Sequence, residues 1–128
     1  MQLPNFLTAI YNFVNGKFGL EFGLIDQIVE KLQKISSWID RQRHYKFYGS
    51  SILIAYDTLD LMKKINNYGD IIVRVKMIDF THAISNSENS KDKNYADGLE
   101  KLIDVFQNLE TFYNAPEVLR IPSKKNLL

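Results

Sequence analysis

Apolar residues recur along the chain at two different periods, and the change of period divides it. Between Leu3 and Val14, the residues Leu7, Ile10, Tyr11 and Val14 fall at steps of three and four, the spacing of one helix face, and Asn15-Gly16 supplies a stop. A longer stripe of Phe22, Ile25, Ile28, Val29, Leu32, Ile35, Trp38 and Ile39 predicts a second amphipathic helix from about Phe22 to Arg43. Glu30, Lys31 and Lys34 occupy its other faces. Period two then takes over: within Ile71 to Phe80, Val73, Val75 and Met77 alternate with Arg74 and Lys76, and Phe47 to Tyr56 is rich in aromatic and aliphatic residues. Two strands are expected, paired antiparallel. Their connection, Asp57 to Asp70, is too long for a two-residue turn, although Asn67-Tyr-Gly-Asp70 has turn chemistry and Leu59 to Ile65 could form a helical turn.

The stretch from Asn86 to Asn94 is polar and reads as an exposed loop. A third helix follows, with Asn94 as its cap, Asp97 near the positive end of its dipole, and Leu99, Leu102, Ile103, Phe106 and Leu109 on its buried face. Pro116 and Pro122 end regular structure. The expected architecture is α+β: amphipathic helices packed on a small antiparallel strand pair, as one domain over residues 1–115 with a tail over 116–128.

Composition narrows the chemistry. With 128 residues, 45% hydrophobic and 24% charged, the chain has the profile of one globular domain. Sixteen Lys and Arg against fifteen Asp and Glu give a net charge of +1, which argues against nucleic acid as a partner, so any anion site must be local. There is no cysteine, which excludes thiolate metal sites and cysteine nucleophiles, and two histidines argue against a His-rich metal site. No run approaches the roughly 20 apolar residues of a membrane span, and the first sixteen residues do not form a secretory signal. A cytoplasmic or nuclear location is the expectation.

Asp79 is the conspicuous polar residue. It ends an apolar strand and is followed by Phe80, Thr81 and His82. An ionised carboxylate at that place lies either at the rim in water or against a cation or donor cluster. Ser50-Ser51, beside Gly49, opens the other strand, where small hydroxyls allow close approach of a ligand or serve as ordinary strand-start residues. A strand-end carboxylate near a hydroxyl suits magnesium, which takes few protein carboxylates and completes its shell with water and phosphate oxygens.

Three segments in order carry a family resemblance. Tyr45-Lys-Phe-Tyr-Gly-Ser-Ser-Ile-Leu-Ile-Ala-Tyr-Asp57 resembles the Ser-Ser-Leu-Leu segment of inositol polyphosphate kinases. Val73-Arg-Val-Lys-Met-Ile-Asp-Phe-Thr-His82 is similar to that family's Met-Ile-Asp-Phe strand, which often continues with Ala-His. Tyr95-Ala-Asp-Gly-Leu-Glu-Lys-Leu-Ile103 resembles the Gly-Tyr-x-x-Gly-Leu-x-x-Leu-Ile opening of its last helix, and Phe13-Val-Asn-Gly16 also fits. The flavour is that of the inositol hexakisphosphate kinase and inositol polyphosphate multikinase branches, and the match runs from about Phe6 to Phe112, the carboxyl-terminal part of the family's catalytic core.

The resemblance implies a carboxyl-terminal kinase-like lobe, with ATP held between lobes and its phosphates bound through Mg2+. It implies that Asp79 binds the metal and that Ser51 lies near the nucleotide phosphates and the metal, both on the cofactor side. It also implies transfer of the ATP γ-phosphoryl group to an inositol phosphate. No acceptor-activating residue is assigned, because the family's PxxxDxKxG signature, which supplies that Asp and a Lys, is absent, as are the amino-terminal sheet and the hinge for adenine. Two functions stay open: the metal- and phosphate-side lobe of a kinase, or a kinase-derived binding or regulatory module without transfer activity. Either leaves strand edges and an apolar face to be covered by an amino-terminal lobe fragment or by self-association.

The remaining candidates have plainer readings. His82 reads as a structural hydrogen-bonding residue beside a strand end, and Arg41, Arg43, His44 and Lys46 as a solvated helix end whose cations complement the dipole. Lys17 stands on the loop after the first helix, near a region that helps hold the inositol ligand in some relatives. Trp38, Tyr48 and Tyr56 read as core or core-edge packing and Lys124 and Lys125 as a polar tail.

Overall fold

A computed structural model describes residues 3–16, 19–59 and 71–114. Helix α1 spans Leu3–Val14 and is followed by two short strands, β1 (Asn15–Gly16) and β2 (Gly19–Leu20), which pair antiparallel. Helix α2 runs Phe22–Arg41; strands β3 (Tyr45–Phe47), β4 (Ser51–Tyr56), β5 (Val73–Ile78) and β6 (Ala83–Ser85) follow, and helix α3 spans Lys93–Asn114. The strands form three separate two-stranded antiparallel ribbons among the described residues: β1–β2, β3–β6 and β4–β5.

The core is the seam between α2 and α3, roofed by the strands. Leu24, Ile28, Leu32 and Ile39 of α2 are buried against Leu99, Ile103, Phe106 and Leu109 of α3, with Val14 from α1 and Phe47, Ile71 and Val73 from the strand layer. Full burial of each such side chain contributes about 1.5–3 kcal/mol. The α2 stripe differs from the expected one near its ends: Leu24 is fully buried, whereas Phe22 and Trp38 are 41% and 42% exposed. The periodicity located the helix and most of its buried face, including Ile25, Ile28, Leu32 and Ile39.

Helix α2 also stops two residues earlier than expected, at Arg41. Gln42 leaves the helix with extended backbone, and its buried side chain takes over the turn. Its Oε1 accepts the backbone N–H groups of His44 and Tyr45, both at 3.0 Å, and its Nε2 donates to the Tyr45 carbonyl at 2.9 Å. One amide side chain thus satisfies the peptide groups that turn the chain from helix to strand.

The segment expected as one strand over Phe47 to Tyr56 is two. Gly49 has φ +67, a left-handed conformation that a side chain disfavours, and it folds β3 away from β4. β3 pairs with β6, while β4 pairs with β5 in the register Ser51↔Ile78, Leu53↔Lys76 and Ala55↔Arg74 on the outer face. Ile52, Ile54, Tyr56, Val73, Val75 and Met77 pack toward the helices. Asn67 to Asp70, most of the Leu59 to Ile65 turn, Lys17 and the 116–128 tail lie outside the described residues.

Helix α3 is capped by Asp92, not by Asn94. Asp92 is 3% exposed; its Oδ1 accepts the Tyr95 N–H at 3.2 Å, its carbonyl accepts the Ala96 N–H at 3.0 Å, and its Oδ2 accepts the Phe47 N–H at 2.7 Å. Asn94 is already inside the first turn. A single carboxylate therefore caps the helix and ties it to β3 at the same time.

Candidate functional site

The β5 strand ends at Ile78, and the next residue, Asp79, breaks from the extended run with φ 64. A left-handed conformation is uncommon outside glycine, although Asp tolerates it better than most residues. The turn Phe80–Ala83 follows, closed by the Ala83 N–H donating to the Phe80 carbonyl at 3.0 Å. From this turn the Thr81 hydroxyl donates to Oδ1 of Asp79 at 2.9 Å, which fixes the carboxylate's orientation and engages one of its oxygens. Asp79 and Thr81 are both exposed.

This turn lies against the start of β4. Ser51 is the register partner of Ile78, so its exposed hydroxyl-bearing residue stands beside the strand end from which Asp79 emerges. His82 places its ring over Gly49, with Cδ2 3.7 Å from where a β-carbon would sit, and the Phe80 ring packs edge-on against Phe47 with centroids 5.8 Å apart. Gly49, Ser50, Ser51, Asp79, Thr81 and His82 thus form one corner where the two ribbons meet. Leu53 and Ile78, exposed large apolar side chains, continue the outer face from this corner, and Leu53 is 48% exposed.

The corner's chemistry fits a divalent cation held with phosphate. It offers one accessible carboxylate, the Thr81 hydroxyl already bonded to it and the exposed Ser51 beside it, and no group of three or more His, Cys, Asp or Glu able to hold a metal occurs among the described residues. Such a donor set suits a hard cation whose other ligands are phosphate oxygens and water. A closed cage of protein ligands would need more carboxylates than the corner has.

Behind the corner lies a cavity of about 250 Å3 lined by Phe47, Ser50, Ile52, Tyr95, Gly98 and Leu102 among others. The hydroxyls of Ser50 and Tyr95 both are buried without a hydrogen-bond partner. Burial, reinforced by the nearby Asp92 charge, pushes the Tyr95 phenol above its ordinary pKa of 10.0. Tyr95 and Asp92 are residues that sequence reasoning left unassigned. For Asp92 a signal existed, since an Asp just before an amphipathic run is a preferred cap.

The cations near the end of α2 have local tasks. Arg43 Nη1 donates to the carbonyls of Asp40 at 2.6 Å and Gln42 at 2.9 Å, and Lys46 pairs with Glu88 at 3.1 Å. That hydrogen bond raises the Lys46 pKa above its ordinary value. Lys91 pairs with Asp40 at 2.8 Å, fastening the polar loop to α2. No helix among the described residues is long and apolar enough to cross a membrane.

Comparison with known proteins bears on the family and the fold. The human inositol hexakisphosphate kinase 3 is 26% identical over 133 residues, covering 86% of this chain and 32% of the relative. Inositol polyphosphate multikinase alpha of Arabidopsis thaliana is 27% identical over 97 residues, covering 76% of this chain and 32% of the relative. The chain thus spans about a third of the length of these curated relatives. Among solved structures, an inositol phosphate multikinase from S. cerevisiae, in complex with ADP and Mn2+, superimposes with a TM-score of 0.67 at 20% identity, over 84% of this chain and 47% of that one. The inositol polyphosphate kinase model matches residues 1–107, which include the Ser51 and Asp79 strands, their corner and most of α3, and on that match the chain belongs to the inositol polyphosphate kinase family.

Proposed function

We propose that this chain supplies the metal- and phosphate-binding side of an ATP-dependent kinase acting on an inositol phosphate, with Asp79 and Ser51 as the residues that hold Mg2+. The observation that carries the reading is the register of β4 and β5, which sets Ser51 beside Ile78 and so beside the left-handed Asp79. A backbone conformation of this kind, at the tip of a strand and bearing the corner's carboxylate, is the sort of local strain that clusters at functional sites.

The roles follow from position. The Thr81 hydroxyl engages Oδ1 of Asp79 and orients the carboxylate, leaving Oδ2 free of any hydrogen bond among the described residues. Asp79 and the Ser51 hydroxyl would be the protein's ligands, and the bound ion would supply charge neutralisation along the phosphates of the nucleotide. Leu53 and Ile78 give a planar base an apolar surface beside that corner. In the transfer, the bond between the γ-phosphorus and the β,γ-bridging oxygen breaks, a bond from an acceptor oxygen to that phosphorus forms, and ADP leaves. The acceptor's proton goes to a base outside the residues named here. Positioning and charge neutralisation carry most of such a reaction.

The same uncovered face, with Leu53, Ile78 and Phe80 exposed, is where an amino-terminal lobe or a second copy of the chain would pack. A second reading is a binding module without transfer activity, since the corner holds metal- and phosphate-side groups and none of its residues is assigned to activate an acceptor. Incubation with ATP, Mg2+ and a panel of inositol phosphates separates the two. Phosphoryl transfer that Asp79→Asn abolishes supports the kinase. Nucleotide binding without transfer supports the module, and neither binding nor transfer contradicts both.

A further inference from the structure

The cavity behind the corner stands on the inner side of β4, across the strand from the exposed Ser51 and Leu53. Along β4 the residues Ile52, Ile54 and Tyr56 pack toward the helices, and Ser50, one residue before the strand, continues that alternation; Ser50 and Ile52 both line the cavity. The facing wall comes from α3, where Tyr95, Gly98 and Leu102 recur at steps of three and four and so share one side of the helix. Leu99, 3% exposed, is the most deeply buried of the lining residues, whereas Gly49, Asn94 and Gly98 are exposed and give the cavity an opening to the surface.

No charged side chain lines this cavity among the described residues. Its walls are largely aromatic and aliphatic, and the rings of Phe47 and Tyr95 lie 5.9 Å apart between centroids. Two of its residues, Ser50 and Tyr95, each carry a buried hydroxyl with no hydrogen-bond partner among the described residues. Folded proteins rarely leave such groups unanswered, and each hydroxyl can either donate or accept. Water would answer the hydroxyls but not the apolar walls. Apolar walls with a few polar groups are the make-up of a small-molecule site. There is also room: a β-carbon on Gly98 would meet nothing within 4 Å. An apolar cavity of about 150 Å3 is enough for benzene. The 250 Å3 available here therefore accommodates two fused rings.

We infer that this cavity binds an uncharged organic molecule of about two fused rings with a hydrogen-bonding edge. The rings contact Phe47, Ile52 and Leu102, and the polar edge answers the Ser50 and Tyr95 hydroxyls. A charged ligand would lose its hydration here and find no counter-ion in the lining. The site uses neither metal nor phosphate, so it stands apart from the Ser51–Asp79 corner and from the kinase reading.

The probe is oxindole, two fused rings bearing one N–H and one carbonyl, titrated into the full chain in EDTA and followed by amide proton–nitrogen correlation spectra. The expected result is saturable binding that shifts the Ser50 and Gly98 signals and is about fivefold or more tighter than binding of indane, which has the rings without the polar edge. Benzoate should bind about tenfold or more weakly than oxindole. Gly98→Leu, which fills the open space, should abolish oxindole binding, and Ser50→Ala and Tyr95→Phe should each weaken it by about three- to tenfold. Circular dichroism and urea midpoints confirm folding. Tyr95→Phe removes an orphaned group from the free protein, so its affinity should fall while its stability does not. Should Gly98→Leu fail to fold, the two hydroxyl variants decide. No saturable binding by the folded wild-type chain leaves the cavity to water and overturns the inference. Oxindole affinity unchanged in both hydroxyl variants overturns it too, as does indane or benzoate binding as tightly as oxindole. With metal and nucleotide absent throughout, none of these results bears on the kinase reading.

Discussion

Asp92 joins two elements through one carboxylate: it caps α3 through the Tyr95 N–H and holds β3 through the Phe47 N–H, all while buried. Replacing it with Ala leaves two buried N–H donors without acceptors, so Asp92→Ala should cost about 2–3 kcal/mol in urea denaturation. Asp92→Asn, which keeps an acceptor oxygen, should cost less. Tyr95, in the first turn of the helix, presents the opposite case, a buried hydroxyl with no partner. Tyr95→Phe removes an unsatisfied group and should leave stability at neutral pH unchanged or slightly higher. Its raised pKa means that the folded state holds the phenol proton more tightly than the unfolded chain. The resulting stability is complete below pH 10 and is lost as pH rises through the raised value. Tyr56, raised mainly by burial, adds to the same loss. Urea midpoints measured from pH 8 to 11 should therefore fall above pH 10, and fall less steeply in Tyr95→Phe.

At the scale of elements, the chain's hydrophobic periods revealed the three long helices and the strand pair, because one buried face forces a repeat on the residues that build it. Ile28, Leu32 and Ile39 of α2 and Leu99, Ile103, Phe106 and Leu109 of α3 are in the core as their spacing requires. What the pattern could not reveal lies where a single residue overrides it. Gly49 splits an apolar run into β3 and β4 by adopting a left-handed turn, and Gln42 ends α2 by satisfying the following peptides with its side chain. Asp92 rather than Asn94 starts α3 because only Asp92 also reaches β3. The candidate site was legible as residue types in order, Ser51 and then Asp79, but their placement at one corner depends on a long-range register. Gly98, within α3, has nothing within 4 Å of an added β-carbon. Gly98→Ala should therefore raise stability by about 0.5–1 kcal/mol through reduced backbone entropy, read as a higher urea midpoint.

Across the whole molecule, packing and exposure are segregated. The helices and the inner sides of the strands form the core, while the outer face of the β4–β5 ribbon leaves Leu53 and Ile78 exposed beside Ser51 and Asp79. The proposed metal corner and the uncovered apolar surface therefore share one face, which is what the proposed function requires of this lobe. The measurement that bears most directly on this account is Mn2+ binding to the full chain, followed by water-proton relaxation with and without ADP. ADP and Mn2+ should strengthen each other's binding in the wild-type chain, Asp79→Asn should remove that coupling, and Ser51→Ala should weaken it, with the fold intact in both variants. Coupling of the same size in wild type and Asp79→Asn, or none in the wild-type chain, would contradict it.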